Sequence, residues 1–229
     1  MQNLIIESCA IRGIEFQGAT GNLITQSELK NSKIFGCCSS ASADTALQIT
    51  FSDGLFVENV VLDGNNPGSA GIFNAVLIDS SSYCYLSNVS VVNALGAAGT
   101  STLRGFALIS NNAVVQSCIL DSCITTSNTN LGSGIIHDFY LNAPGANLVS
   151  YNVFNNCISG NNTARGNYYG FYCSGANTQV NTFDGCTAIG NTSIGGNVGG
   201  FEFDSSTTKN LVINSVAIGN LHTAAPSTN

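Results

Sequence analysis

The chain has 229 residues, of which 44% are hydrophobic and only 8% are charged, and its formal net charge is −7. The six basic residues are scattered, whereas nucleic-acid binding needs clustered positive charge, so we expect no DNA or RNA partner. No run approaches the roughly 20 apolar residues of a membrane span, and the first residues lack the basic start and cleavage site of a signal peptide. Twenty-five Gly with abundant Asn, Ser and Thr favour strands and turns over helices.

A nine-residue phrase recurs along the chain and is clearest at 183–191, where it reads FDGCTAIGN. We call it the repeat phrase; its first, fourth and sixth residues are apolar or small. A weaker copy begins at Ile6, and the other copies begin at Leu29, Val57, Leu86, Leu120, Phe154, Phe183 and Val212, spaced by 28, 29, 34, 34, 29 and 29 residues. A period in this range indicates stacked repeats. We predict one solenoid domain over residues 1–220, opening within a coil, and a C-terminal tail over 221–229.

A second motif, two apolar residues separated by one other, precedes each later copy of the phrase. The pairs are Ile14/Phe16, Leu47/Ile49, Val76/Ile78, Phe106/Leu108, Phe139/Leu141, Phe171/Cys173 and Phe201/Phe203. Alternation with period 2 places both members of a pair on one side of a β-strand. Each repeat therefore carries at least two short strands, and no segment shows a capped helical periodicity.

The spacing predicts parallel strands, because equivalent residues recur once per repeat in one chain direction. The inward residues form columns, and Asn65, Asn128, Asn162, Asn191 and Asn220 are expected to stack at a turn where Asn tolerates a left-handed conformation. From Ile6 to Asn220 this pattern resembles the right-handed parallel β-helix superfamily, the pectate-lyase-like solenoids. The resemblance implies an all-β, right-handed parallel β-helix of about seven coils, with no signature that specifies an activity.

The leucine-rich-repeat consensus is the alternative, since it has a similar spacing of apolar residues. Two features disfavour it. The inward residues are Cys, Ser, Ala and Val more often than Leu, and the rest of each unit is rich in Gly where a leucine-rich repeat would continue into a helix or 3₁₀ segment.

Nine cysteines occur without any C-x-x-C motif. Cys9, Cys123, Cys157 and Cys186 share the fourth phrase position, which Val or Ser occupies in other copies, so we interpret this position as a small, mostly apolar filler. A metal ladder would lack His partners, and disulfides would leave one thiol over. We expect neither a metal nor a cofactor.

The residue after each phrase lead should point outward, and three of these residues are carboxylates: Glu58, Asp121 and Asp184. They fall on alternate coils, about 9.6 Å apart by two strand spacings, near the roughly 6.5–9.5 Å of inverting glycosidases. Hydrolases of the resembled superfamily group several Asp with a His and basic residues, and its lyases pair calcium-binding Asp residues with an Arg base. Neither group is apparent in this sequence, so we favour solvated edge charges and keep a catalytic role as the alternative.

The residue between the members of each pair should also point outward, which places Tyr140, Tyr172 and Glu202 in one line. Exposed aromatic rings beside a carboxylate suit the apolar face and the hydroxyls of a sugar, although a cross-strand aromatic pair also stabilises an ordinary sheet. His137 and Asp138 immediately precede this strand, and we interpret them as polar surface residues bordering the candidate site.

These observations favour a non-enzymatic β-solenoid segment of a surface, appendage or virion-type protein, acting as a rigid scaffold that also binds glycans. The alternative is a polysaccharide lyase or glycoside hydrolase, truncated or whole, that uses Glu58, Asp121 and Asp184. We expect a cell-surface, extracellular or virion location. The open ends of the stack carry unpaired strand groups, so we expect a homo-oligomer or a neighbouring domain to cover them.

Overall fold

The computed structural model describes residues 1–9, 12–38, 45–65, 71–97 and 100–223. Within these ranges the regular elements are all β-strands, and the strands pair in parallel. None of the described segments forms a helix long and apolar enough to cross a membrane. Sheet 1 takes one strand from each of seven coils, namely Arg12–Gln17, Thr45–Thr50, Gly71–Asp79, Thr100–Ile109, Ile135–Asn142, Tyr168–Ser174 and Val198–Phe203.

Sheet 2 contains the repeat phrases. Its first four strands are Ile5–Glu7, Glu28–Phe35, Phe56–Asp63 and Tyr85–Val92. In later coils the phrase divides into two short strands, which are Ile119–Asp121 and Ile124–Thr126, Val153–Asn155 and Ile158–Gly160, Thr182–Asp184 and Thr187–Ile189, and Leu211–Ile213 and Val216–Ile218.

Shorter strands complete the wall of each coil. Sheet 3 consists of Leu95–Gly96, Thr129–Asn130, Thr163–Ala164, Thr192–Ile194 and Leu221–Thr223. Two further small sheets contain Val115–Gln116, Val149–Ser150 and Thr178–Gln179, and Ile24–Thr25 and Ser52–Asp53.

The interior columns follow the predicted repeats. The first members of the seven apolar pairs align strand by strand, and the rings of Phe106, Phe139, Phe171 and Phe201 stack at successive centroid distances of 5.1, 4.7 and 4.7 Å. Burial of these rings, together with ring stacking, stabilises neighbouring coils against one another. The predicted all-β parallel β-helix of about seven coils is confirmed.

The predicted asparagine stack is continuous from Asn128 to Asn220, whereas Ala94 separates Asn65 from it and donates its N–H to Asn128 Oδ1 at 2.8 Å. The main-chain N–H of Asn128 donates to Asn162 Oδ1 at 2.8 Å, that of Asn162 to Asn191 Oδ1 at 3.0 Å, and that of Asn191 to Asn220 Oδ1 at 3.1 Å. The left-handed residue, however, is the one before the Asn, as at Asn161 with φ of 55°. The asparagines satisfy buried backbone donors, and their neighbours make the turn.

A second asparagine ladder was not predicted. The N–H of Asn152 donates to Asn181 Oδ1 at 3.1 Å, and the N–H of Asn181 donates to Asn210 Oδ1 at 3.0 Å. The signal in the sequence is the recurrence of Asn at intervals of 29 residues.

The first coil has a different alignment from the predicted one. Ile6 pairs with Ile34 rather than with Leu29, and Cys9 donates its N–H to Cys37 Sγ at 3.3 Å, so this copy begins at Met1. The prediction aligned Cys9 with the other cysteines, but backbone pairing decides the alignment and removes Cys9 from their column. Ile11, the sixth residue of the copy predicted to begin at Ile6, lies outside the described residues.

The predicted cysteine column is otherwise observed. Cys123, Cys157 and Cys186 are fully buried at equivalent positions of successive coils, and all three are free thiols. At the other end of the chain, Leu221–Thr223 pairs with Thr192–Ile194, so the solenoid extends into the segment predicted as a tail. Residues 224–229 lie outside the described residues.

Candidate functional site

The outward face of sheet 1 carries two neighbouring side-chain columns. One column contains Asn74, Arg104, His137, Tyr169 and Gly199, and the other contains Leu77, Ala107, Tyr140, Tyr172 and Glu202. Parallel pairing aligns equivalent residues of successive coils, which brings four aromatic or imidazole rings together. We call His137, Tyr140, Tyr169, Tyr172 and Glu202 the tyrosine surface.

His137 lies at the centre of the tyrosine surface. Its ring stacks on Tyr172, Tyr140 and Tyr169 at centroid distances of 4.8, 4.9 and 5.4 Å, and the residue is only 6% exposed. Burial, with a smaller contribution from the charge of Arg104, lowers the pKa of His137 to about 3, so the imidazole is neutral. The interpretation of His137 as a polar surface residue is therefore corrected, because three tyrosine rings cover it.

Arg104 borders the tyrosine surface and contacts its residue Tyr140. The guanidinium carbon of Arg104 lies 4.1 Å from the ring centroid of Tyr140, a cation–π contact. Tyr140 is only 7% exposed, so its ring supports the neighbouring rings from the side. Tyr172 and Tyr169 remain half-buried, and Glu202 is exposed. The accessible part of the surface is therefore formed by these last three residues.

An open pocket of about 420 Å³ adjoins this accessible part and is lined by Tyr169, Asn197, Val198, Glu202 and His222. Gly199 follows the pocket-lining residue Val198 in the chain. A Cβ atom there would lie 3.1 Å from Tyr169 Cδ1 and 3.5 Å from Glu202 Oε2, so the ring and the carboxylate converge above the glycine. Sequence reasoning did not identify Asn197 or His222, because the loop preceding Val198 and the last strand bring them together only in the fold.

A hydrogen bond orients His222 at the rim of the pocket. Its Nδ1 is hydrogen-bonded to the carbonyl oxygen of Gly196. A carbonyl oxygen only accepts, so Nδ1 carries a proton. The pocket thus presents a carboxylate and an imidazole ring beside a tyrosine ring.

Asp138 points to the interior and does not border the tyrosine surface. Its Oδ2 accepts hydrogen bonds from Ser159 Oγ and Asn162 Nδ2, both at 2.7 Å, and from the Tyr168 hydroxyl. The residue is fully buried, and its Oδ1 has no partner among the described residues. Burial raises the pKa of Asp138 to about 7, against the opposing effect of these hydrogen bonds. Its interpretation as a surface residue is corrected.

A local break in the alternation explains why Asp138 turns inward. His137 and Tyr140 both face outward, which leaves two consecutive inward residues, Asp138 and Phe139, between them. The positions equivalent to Asp138 hold only the smallest residues, which are Gly13, Ala46, Ala75, Gly105, Gly170 and Gly200.

The reason for this small-residue column is steric. A Cβ atom on Gly105 would lie 2.5 Å from Thr125 Cγ2, and one on Gly200 would lie 2.3 Å from Ala217 Cβ. The other positions of this column hold only Gly or Ala because they face the crowded interior. The carboxylate of Asp138 in the same column was therefore the feature of the sequence that indicated a buried polar group.

Glu58, Asp121 and Asp184 lie elsewhere, in one outward column of sheet 2. The register places them on alternate coils, with Ser87 and Asn155 between them. Two strand spacings separate them by about 9.6 Å, and Asp184 Oδ1 accepts a hydrogen bond from Asn214 Nδ2 at 2.9 Å. All three are half-buried. In the described part of the chain, no group of three or more His, Cys, Asp or Glu could hold a metal ion.

No protein-family model matches the chain, and no curated protein sequence matches it. Among solved structures, the chain is similar to endo-xylogalacturonan hydrolase from Aspergillus tubingensis, with 11% sequence identity and a TM-score of 0.37. The match covers 90% of this chain and 65% of that enzyme, which is just under two thirds of its length. At this identity and TM-score, the match gives no basis for transferring that enzyme's activity, and the assignment of a parallel β-helix depends on the strand register described above.

Proposed function

We propose that this β-solenoid is a rigid, non-enzymatic scaffold that binds glycans at the tyrosine surface. The observation that carries the proposal is the pair of partly accessible rings, Tyr169 and Tyr172, at 5.0 Å between centroids beside the exposed Glu202. A tyrosine ring offers an apolar face to the C–H face of a sugar, and a carboxylate accepts hydrogen bonds from its hydroxyls.

The support beneath these rings favours binding. His137 stacks on both of them, and Tyr140 packs against Tyr172 at 5.8 Å. Rings held in this way lose little conformational entropy when a ligand binds, so more of the contact energy appears as affinity. The parallel strands beneath hold successive coils roughly 4.8 Å apart, which gives a rigid base.

Glycan-array binding by the purified chain tests the proposal. We expect the wild-type protein to bind a defined set of glycans and Tyr172→Ala to lose at least about tenfold in affinity, since truncation of a central aromatic contact typically costs 1–2 kcal/mol or more. Tyr83→Ala is the matched control, because Tyr83 is 56% exposed and lies outside the tyrosine surface. Equal binding by both variants, or no binding by the wild type, would contradict a role for this surface.

A polysaccharide hydrolase or lyase is the second candidate, and the observation in its favour is the common column of Glu58, Asp121 and Asp184. Release of reducing ends or unsaturated products from acidic and neutral polysaccharides measures this activity. Turnover that disappears in Asp121→Asn and persists in Tyr172→Ala would favour the enzyme over the scaffold.

We also propose that a binding partner covers the last described coil, which exposes apolar side chains. Leu211, Ile218 and Leu221 are 49%, 57% and 59% exposed there, and no further strand among the described residues pairs with the outer edges of the last strands of three sheets. We expect a homo-oligomer or a neighbouring domain to cover these groups. Light scattering over a range of concentrations tests the first case, and a molar mass that stays at one chain throughout would exclude self-assembly under those conditions.

A further inference from the structure

We propose that Cys9 and Cys37 are a site of reversible oxidation, where a disulfide bond fastens the first coil to the second. The two cysteines occupy equivalent positions of successive coils. Glu7 pairs with Phe35 two residues earlier in each coil, and the N–H of Cys38 donates to the carbonyl oxygen of Cys9 at 2.7 Å. This inference does not depend on glycan binding.

The geometry of the pair suits a disulfide bond. Equivalent residues of neighbouring strands lie about 4.8 Å apart, within the roughly 4.4–6.8 Å that separates the Cα atoms of bridged cysteines. The N–H of Cys9 donates to Cys37 Sγ at 3.3 Å, so this sulfur already contacts the first coil. The thiol of Cys38 donates instead to the carbonyl oxygen of Thr45 at 3.3 Å. Cys37 is therefore the thiol that is placed to reach Cys9.

Solvent access distinguishes this pair from other thiols on neighbouring coils. Cys9 is half-buried, whereas Cys37 is fully buried. Cys84 and Cys118 also lie on successive coils, since the N–H of Ile119 donates to the carbonyl oxygen of Cys84 at 2.9 Å, but they are only 1% and 0% exposed. An external oxidant therefore reaches Cys9 before the thiols of the interior.

The oxidant that we assign is a low-molecular-weight disulfide such as oxidised glutathione, acting by thiol–disulfide exchange. The Cys9 thiol gives its proton to solvent, and its sulfur attacks one sulfur of the oxidant, which breaks that S–S bond and releases one glutathione thiolate. The Cys37 thiol then loses its proton, and its sulfur attacks the Cys9 sulfur of the mixed disulfide and releases the second thiolate. Two protein thiols are thereby oxidised to one disulfide, and one glutathione disulfide is reduced to two thiols.

The surroundings of Cys37 fix the order of these steps. Burial raises the pKa of Cys37 to about 11, so it is protonated near neutral pH and reacts slowly with an oxidant in solution. Its attack on a mixed disulfide at Cys9 is intramolecular, and the contact between the two residues gives it a high effective concentration. Cys9 reacts first, and Cys37 then completes the bond.

The bond acts on a coil that has few other attachments. The strand of the first coil, Ile5–Glu7, has three residues and pairs on one side only among the described strands, and Met1 and Ile5 are 60% and 74% exposed. Segments of this kind open locally. A covalent bond between residues 28 apart in the chain restricts the opened state and so favours the docked coil.

The test incubates the purified chain with oxidised glutathione near neutral pH and then measures intact mass, disulfide-linked peptides and amide hydrogen exchange. We expect the loss of two hydrogen atoms and one linked peptide pair that contains Cys9 and Cys37. The amides of Asn3 and Ser8, which donate to carbonyl oxygens of the second coil, should exchange at least about tenfold more slowly after oxidation. Dithiothreitol should reverse both changes.

Cys9→Ser should form no linked peptide and gain no protection, whereas the control Cys84→Ser, which also removes one thiol, should behave like the wild type. An unchanged mass, a bond between other cysteines, or glutathione that remains attached to Cys9 would each overturn the inference. A Cys9–Cys37 bond without slower exchange at Asn3 and Ser8 would overturn the claim that it fastens the first coil.

Discussion

Replacing Asp138 with Asn should make the free energy of unfolding less dependent on pH as the pH rises through about 7. Asp138 is the one large residue in a column of Gly and Ala, and its Oδ2 receives donors from Ser159, Asn162 and Tyr168. The Thr125 side chain adjoins the carboxyl group and, like these donors, lowers its pKa. Asparagine keeps one acceptor for the three donors and adds an N–H group on the side of the unpartnered oxygen.

The magnitude follows from the pKa of the buried carboxyl group, which burial raises from the ordinary 3.8 to about 7. A carboxyl whose pKa is raised on folding contributes its full stability below the unfolded pKa and loses it as pH rises through the folded pKa. A difference of about three units corresponds to about 4 kcal/mol in total. Between about pH 5 and pH 8 the free energy of unfolding should fall by roughly 2–3 kcal/mol through this group.

Urea unfolding of the wild type and Asp138→Asn at several pH values measures this effect. All other titrating groups are common to the two proteins, so the difference between their unfolding free energies isolates Asp138. We expect Asp138→Asn to gain relative to the wild type from about pH 5 to pH 8 and the difference to level off above the folded pKa. Parallel profiles for the two proteins would refute the buried, ionisable state that we assign to Asp138.

Three further predictions concern the rings and the asparagine ladder. His137→Phe keeps the ring stack but removes a group whose pKa burial lowers to about 3, so it should remove the fall in unfolding free energy that this imidazole alone contributes as pH drops below about 6.5, which urea unfolding measures as a gain of the variant over the wild type. Phe171→Ala deletes a fully buried ring stacked on both sides and should cost about 3–5 kcal/mol of unfolding free energy, whereas a cost under 1 kcal/mol would contradict the packing. Asn162→Ala leaves the buried N–H of Asn128 without its acceptor and should cost at least about 2 kcal/mol, and the control Asn220→Ala, in the more exposed last coil, should cost less by thermal unfolding.

The candidate site was only partly predictable. Tyr140, Tyr172 and Glu202 were placed in one column because the residue between two inward residues of a strand must face outward. The same rule failed one step earlier in the strand, where Asp138 and Phe139 both turn inward and His137 is left on the outer face. A local irregularity of the backbone reverses the direction of a side chain without changing the apolar pattern around it.

The sequence by itself determined the stack of parallel coils and the main interior columns, since residues that recur once per coil must lie above one another. Only the tertiary structure decided the alignment of the first coil, where Ile6 pairs with Ile34, and the covering of His137 by three rings. It also decided the pocket that joins Asn197 and His222 to Glu202. The physical reason is that periodicity specifies which residues share a column, whereas contacts between columns, and contacts made by the turns, depend on how the coils close in three dimensions.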